Sequence, residues 1–305
     1  MTGPGRESVP PRMHGGKPSG DALSVVSQHD EADIVREVLG KLRENVPWCV
    51  EFGAGDGKKD SNTWDLVQDQ GYSVVLIEPQ TERFRGIAKN YGENDRVHAF
   101  NCFVEHQGDG SLDRILAQTP IPQRFDFLSI DVDGNDLPLW KTLEKYRPRL
   151  VCIEFNQSIP PWINFAQDYD PRATRGASIK SITDFAATWD YQLAFANRTN
   201  LFFVANEDFE DLGLERKGPM ELFPNYDALT VLGSSYAGEI FILGNRANIW
   251  HSIEYKSRKM QILPRALREF PPRMSRLHRF FWRLWKTYWQ PRTSWGSIKS
   301  LLRRN

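Results

Sequence analysis

Between residues 48 and 155 the chain alternates between short apolar runs and segments with helical spacing, and that alternation limits its fold more than any other feature. The runs are Trp48–Phe52, Ser73–Glu78, Arg96–Phe103, Phe125–Ile130 and Arg149–Phe155. Ser73-Val74-Val75-Leu76-Ile77-Glu78 has no polar residue between its ends, so the strand it forms must be covered on both faces. Helical spacing occupies 31–42, 63–67, 81–90, 111–118 and 137–146. This rhythm predicts an α/β fold, a parallel sheet with helices on both faces. It breaks after a helix expected at Ser178–Trp189. There Tyr191–Ala196 and Leu201–Ala205 flank the polar turn Asn197-Arg198-Thr199-Asn200, which predicts a terminal antiparallel hairpin.

At 305 residues the chain is long enough for a full core. No apolar run approaches the ~20 residues of a membrane-spanning helix. Arg6, Arg12 and Lys17 precede no apolar segment, so a secretory signal is not expected. Cys49, Cys102 and Cys152 stand far apart, as reduced thiols of a cytoplasmic protein do. The six histidines include no HExxH pair, so no zinc centre is expected. Residues 1–22 hold nine Gly or Pro and no apolar period. Residues 1–23 are therefore expected to be disordered, 24–205 to form the α/β domain, and 206–272 to be an extension without a motif.

The glycine-rich segment Glu51-Phe52-Gly53-Ala54-Gly55-Asp56-Gly57 closes the first strand. Glycines serve there for a sharp turn that a ligand can approach closely, and the alternative is a turn alone. Glu78 ends the second strand 27 positions after Glu51, where a carboxylate can accept both ribose hydroxyls of an adenosine. The dinucleotide pattern G-x-G-x-x-G fails at Lys58, and six residues separate the glycines from the next helix, so no pyrophosphate site is expected. S-adenosylmethionine has no phosphate. Glu51 and Gly53 are expected to meet its ammonium group, with Gly55 in the same loop. Ser61, Asn62 and Thr63 are expected at its carboxylate, unless they only cap a helix. Phe103, at the end of the third strand, joins this cofactor-binding set.

Asp131-Val132-Asp133-Gly134-Asn135-Asp136 follows the fourth strand and Glu154-Phe155-Asn156-Gln157 the fifth. Ligands of open α/β sheets bind outside the carboxyl ends of the strands, so both segments are expected in one crevice, with Asp131 nearest the transferred methyl. An EF-hand loop needs glycine sixth, whereas Gly134 is fourth. Asp131, Glu154 and Asn156 form the expected catalytic set, and a single Mg²⁺ held by the same three is the metal alternative. Asp133 and Asn135 read as an Asx turn, with Gly134 supplying positive φ and Asp136 capping the next helix.

The stretches EFGAGDGKKDSNTWDL, VVLIEP, FDFLSIDVDGNDLPLWKTL and RPRLVCIEFNQ resemble the FkbM-like branch of class I S-adenosylmethionine-dependent methyltransferases, over roughly residues 46–205. Glu51, Gly53, Gly57, Glu78, Asp131, Val132, Asp133 and Gly134 match that pattern, although Asp133 stands where glutamate is more usual. IEFNQSIPP and YDP…GASIKSI resemble a bacterial subgroup of the branch. The resemblance implies a Rossmann-like class I methyltransferase fold whose parallel sheet ends in an antiparallel hairpin, here with a C-terminal extension. It also implies methyl transfer to a hydroxyl of a saccharide, glycolipid or secondary metabolite. A hydroxyl must lose its proton, so Asp131, Glu154 or His106 is the candidate base, although His106 lies in a polar turn. The aromatic loop Ser158–Ala177 is expected either to set acceptor specificity or to be a covering lid.

Thirty-nine basic residues balance 39 acidic ones, but the balance is a cancellation. Residues 273–305 hold nine basic residues and no acidic one, which leaves 30 basic against 39 acidic in 1–272. Arg276, Arg279, Arg283 and Lys286 recur at helical spacing opposite Leu277, Phe280, Phe281, Leu284, Trp285 and Tyr288, with Trp282 and Trp289 at the boundary. That is a cationic amphipathic helix over 276–290. It suits an anionic membrane surface, which would place the enzyme peripherally at the inner face. Docking on the chain's own acidic body, or on a second copy, is the alternative. A nucleic-acid methyltransferase recruited by the tail, and a non-catalytic membrane-associated protein of this fold, are the other two functional readings. No RNA-binding motif and no N/D-P-P-Y/F segment supports the former.

Overall fold

The computed structural model describes residues 30–248, 251 and 253–290. The Gly- and Pro-rich start and residues 291–305 of the basic tail lie outside the described residues. In chain order the main elements are α1 (Glu31–Lys41), β1 (Trp48–Phe52), α2 (Trp64–Asp69), β2 (Ser73–Ile77), α3 (Thr81–Tyr91) and β3 (Val97–Phe100). Next come α4 (Leu112–Leu116), β4 (Arg124–Ile130), α5 (Asp136–Trp140), β5 (Arg147–Glu154), α6 (Ile179–Thr188), β6 (Tyr191–Ala196) and β7 (Asn200–Ala205).

These strands form one seven-stranded sheet in the order β3-β2-β1-β4-β5-β7-β6. The first five are parallel, and β7 inserts antiparallel between β5 and β6. The expected α/β sheet with an antiparallel end is therefore the observed one. Alternation along each strand divides the core in two. Val50, Phe52, Val75, Ile77, Leu128 and Ile130 face α4, α5 and α6. Cys49, Val74, Leu76, Phe127, Leu150 and Cys152 face α1, α2 and α3.

Register aligns the exits. Phe52 pairs with Ile77 and with Ile130, and Ile130 pairs with Ile153. One step further along each strand stand Gly53, Glu78, Asp131 and Glu154, so residues far apart in the chain share one row at the carboxyl edge. The strand order reverses between β1 and β4, the switch point at which such sheets bind ligands.

α5 and β3 fall furthest short of their periodicity. α5 ends at Trp140 because its last turn tightens, with the Leu143 amide bonding Trp140 O, and because Asp113 then accepts the Glu144 and Lys145 amides. β3 ends at Phe100, after which Asn101 donates to Glu78 O and Pro79 O and carries 101–104 toward the exits.

The opposite edge carries a buried ionic cluster. Arg149, 3% exposed, bridges Asp126 at 3.3 Å and Asp208 at 2.8 Å. Tyr72 and the Val46 amide also donate to Asp126, and Arg124 joins at Asp208. Beyond the sheet, α7 (Asn206–Phe209) and α8 (Pro219–Leu222) lead to a hairpin of β8 (Thr230–Ser234) and β9 (Ile240–Gly244). The short pair β10 (Ala247–Asn248) and β11 (Ile253–Glu254) and the helix α9 (Arg276–Trp289) follow. Phe223 and Leu229 of the extension are buried in the core, Phe223 edge-on to Phe155 with ring centroids 6.1 Å apart. Among the described residues no helix is long and apolar enough to cross a membrane.

Removing the central cation strands two buried carboxylates. Arg149→Met is expected to cost about 3–5 kcal/mol in urea unfolding at pH 7, with much of the loss recovered at low pH where the acids take up protons.

Candidate functional site

A crevice of about 490 Å³ opens at the row of strand exits. Gly53 and Gly55 from the first loop, Glu78 after β2, Phe103 after β3 and Asp131 after β4 line it. Lys59, Asp60, Gln80, Arg83, Asn135 and Tyr169 complete its polar and aromatic wall. A larger groove of about 690 Å³ lies along α9, but its lining holds no carboxylate and no glycine loop.

The glycines divide their work. A Cβ on Gly53 (φ +82°) would lie 1.7 Å from Asp131 O, so the first loop passes against the exit of β4 only as glycine. Gly55 (φ +58°) faces open space, with nothing within 4 Å of its Cβ direction, and is the loop position a ligand can reach.

Glu51 lies beneath the loop. It is 4% exposed. Its carboxylate accepts from Ser61 Oγ, Thr63 Oγ1 and the Asn62 amide, each at 2.7 Å. Loss of water raises its pKa, and these three donors pull it back. Glu51, Ser61 and Thr63, expected around a ligand's amino-acid end, are thus bonded to one another below the crevice. Asn62 turns its side chain to Ser129 Oγ at 2.9 Å. None of the four lines the wall. Glu78 does, and its carboxylate oxygens receive the Gly55 amide at 2.8 Å and the Gln80 amide at 2.7 Å. Each oxygen keeps a second lone pair for a ligand.

The acids across the crevice form a second group. Oxygens of Asp131, Asp133 and Glu154 converge within 4.8 Å of one another. Asn156 Oδ1 accepts from the Ser158 amide at 3.1 Å and Ser158 Oγ at 2.6 Å. Asp133 comes together with Asp131 and Glu154 on a left-handed backbone (φ 54°). Asp131 is exposed and lines the crevice. Desolvation, helped by Asp133, Glu31 and Asp60, pushes its carboxyl up to about 6. Desolvation and the charges of Asp136, Asp131 and Asp133 push Glu154 up to about 8, against the opposing Arg175. Buried Asp136, also raised to about 7 by desolvation, accepts the Val132 and Gly134 amides and ties the loop back on itself. Glu154 is not on the crevice wall.

The aromatic loop is fastened to this acidic loop. Asn135 grips Asp170 at two points, donating to its carbonyl at 2.9 Å and accepting from its amide at 3.2 Å. Gln167 donates to the carbonyls of Gly134 and Arg175. Tyr169, Pro171 and Ala173 thereby reach the crevice, and Tyr169 lies against exposed His106 with ring centroids 5.6 Å apart. Trp162, Ile163 and Phe165 remain exposed. Nothing in the sequence singles out Arg83, since a cation in a first helical turn reads as solvated surface. The position five residues after Glu78 is its one signal.

No family model matches the chain, and no curated protein matches it. Among solved structures it is similar to the N-terminal domain of EvdMO1 in the presence of SAH and D-fucose, with 15% identity and a TM-score of 0.38 over 58% of this chain and 83% of that one. It is similar to a SAM-dependent methyltransferase from Aquifex aeolicus at 12% identity and a TM-score of 0.38, over 61% and 93% of the two chains. Glycopeptide N-methyltransferase MtfA complexed with SAH gives 14% identity and a TM-score of 0.35, over 59% and 91%.

Two outcomes are expected. Gly53→Ala, forced against Asp131 O, should lower the melting temperature markedly, whereas Gly55→Ala should cost only the strain of its backbone, about 1 kcal/mol. Between the ordinary value of 4.5 and about 8, folded Glu154 holds a proton that the unfolded chain has released. Stability therefore falls as pH rises through that window. Glu154→Gln should flatten the fall and be more stable than wild type at pH 9 by about 1–3 kcal/mol in urea titrations, with little difference at pH 4.

Proposed function

We propose that the chain is an S-adenosylmethionine-dependent methyltransferase that methylates a hydroxyl of a saccharide, glycolipid or secondary metabolite. One observation carries the reading. At the switch point of the sheet, an open glycine position and the Glu78 carboxylate face Asp131 across a crevice of about 490 Å³. When bound, S-adenosylmethionine supplies a methyl group on a sulfonium, open to in-line attack.

The chain's own residues supply the rest. Glu78 offers its free lone pairs to the ribose hydroxyls, and the loop at Gly55 lets the adenosine lie close to the backbone. Asp131, with a pKa of about 6, is mainly ionised at neutral pH and would take the proton of the acceptor hydroxyl. Glu154, at about 8, is mainly protonated there and spares Asp131 a second full negative charge. Tyr169 and Phe103 give flat apolar faces on which a sugar ring or other acceptor ring can rest.

Calorimetry with S-adenosylmethionine tests the first half, and transfer of a labelled methyl to hydroxylated saccharides and glycolipids the second. Wild type should bind with measurable heat. Glu78→Ala should bind roughly 10- to 100-fold more weakly, the loss of one or two charge-assisted hydrogen bonds, and Glu78→Gln less so. Melting curves must stay similar, because Glu78 also holds two loop amides. Asp131→Asn should keep binding and lose about 10²–10⁴ in turnover. Absence of heat with wild type would leave the non-catalytic reading, and methylation of nucleic acid alone would replace the acceptor class. Loss of turnover in EDTA, restored by Mg²⁺, would assign Asp131, Asp133 and Glu154 to a cation.

A further inference from the structure

The helix α9 is longer than any other described helix and has no buried residue. Its side chains fall into three stripes. His278 and Trp285 turn toward the body, where the His278 ring bonds Ala266 O and Trp285 Nε1 donates to Ile262 O at 3.0 Å. Arg276, Arg279, Arg283 and Lys286 form a second stripe in solvent. Leu277, Phe281, Leu284 and Tyr288 form the third, 66%, 49%, 53% and 76% exposed.

The exposed apolar stripe continues into the groove of about 690 Å³, where Ala266 and Leu267 form the other wall. The supporting segment is itself tied down. Gln261 bonds both the amide and the carbonyl of Ile240 in β9, and Ser275 caps α9 by accepting the His278 amide. The helix is thus held through His278 and Trp285, with large apolar residues exposed along the groove and cations on the opposite flank. An apolar stripe of this size is left in water at a cost.

We propose that α9 docks the protein on an anionic lipid bilayer, with Leu277, Phe281, Leu284 and Tyr288 entering the boundary of the acyl chains and the basic stripe meeting the headgroup phosphates. Three features fit a bilayer better than a second copy of the chain or an RNA. The basic and apolar stripes run along opposite flanks of one helix, the cationic face and apolar face of an interfacial helix. Tyr288 and Trp289 have amphipathic rings of the kind that settle at that boundary. The cations are mostly Arg, whose planar fork suits phosphate, and the segment 273–305 contains no acidic residue to offset them, whereas the rest of the chain is net acidic and is repelled by an anionic surface. The helix would therefore set the body's orientation as well as its attachment. The inference stands on the C-terminal segment alone and does not require the methyltransferase reading.

Flotation of the full chain with vesicles tests it. Wild type should float with phosphatidylglycerol–phosphatidylcholine vesicles and not with pure phosphatidylcholine, and 0.5 M salt should reduce the floated fraction severalfold. Phe281→Glu with Leu284→Glu should reduce flotation at least tenfold. Arg279→Glu with Arg283→Glu should abolish the preference for anionic lipid. Melting curves and far-UV circular dichroism show that the variants fold, and Trp emission should shift to the blue on vesicle addition in wild type alone. Flotation that is absent in wild type, or equal in wild type and the apolar variant, overturns the proposal. So does a wild-type dimer in sedimentation that Phe281→Glu with Leu284→Glu converts to monomer without vesicles, or tighter binding to RNA than to anionic vesicles at equal salt.

Discussion

Glu51 is taken out of water at the end of β1, and a carboxylate in that position must be matched by donors or carry a proton. Ser61, Asn62 and Thr63 supply three donors at 2.7 Å. That knot brings residue 61 back under residue 51 and fixes the span between them as a loop above the sheet. The glycines inside the span then have no freedom to wander. Gly53 presses against the exit of β4, and Gly55 is left facing the open crevice. Glu78 closes the arrangement from the next strand by taking the Gly55 amide. The site is thus built on a satisfied buried carboxylate.

The molecule keeps its two ionic regions at opposite edges of the sheet, with opposite logic. At the amino edge Arg149 is paired with Asp126 and Asp208, and every charge has its counterion. At the carboxyl edge Asp131, Asp133, Asp136 and Glu154 crowd together without an equal number of cations, and three of them are raised to about 6, 7 and 8. The first arrangement serves the fold. The second stores unfavourable charge where chemistry can use it, a division common at active sites.

The acceptor side is assembled from loops, yet it is held by specific bonds. Asn135 and Gln167 stitch the aromatic loop 158–177 to the acidic loop. Ser178 and Ser181 hold Phe165 at the start of α6. The loop thereby supplies Tyr169, Pro171 and Ala173 to the crevice wall.

Alternation of apolar runs with helical spacing settled the sheet, its parallel part and its antiparallel end from sequence, because strands covered on both faces leave few other arrangements. It also settled that Gly53, Glu78, Asp131 and Glu154 end their strands. It did not settle what those residues touch. Ser61 and Thr63 have the residue types of a ligand site, but a buried Glu51 claims them, and burial depends on the helices packed around β1. Asp133, expected only in a turn, comes together with Asp131 and Glu154 on a left-handed backbone, and the Asn156 oxygen accepts from Ser158. Likewise the tail reads as amphipathic in sequence, while only the fold shows that His278 and Trp285 face the body and Leu277, Phe281, Leu284 and Tyr288 do not. Periodicity belongs to the chain itself, but which neighbour satisfies a given polar group depends on distances across the chain, and only the folded structure sets these.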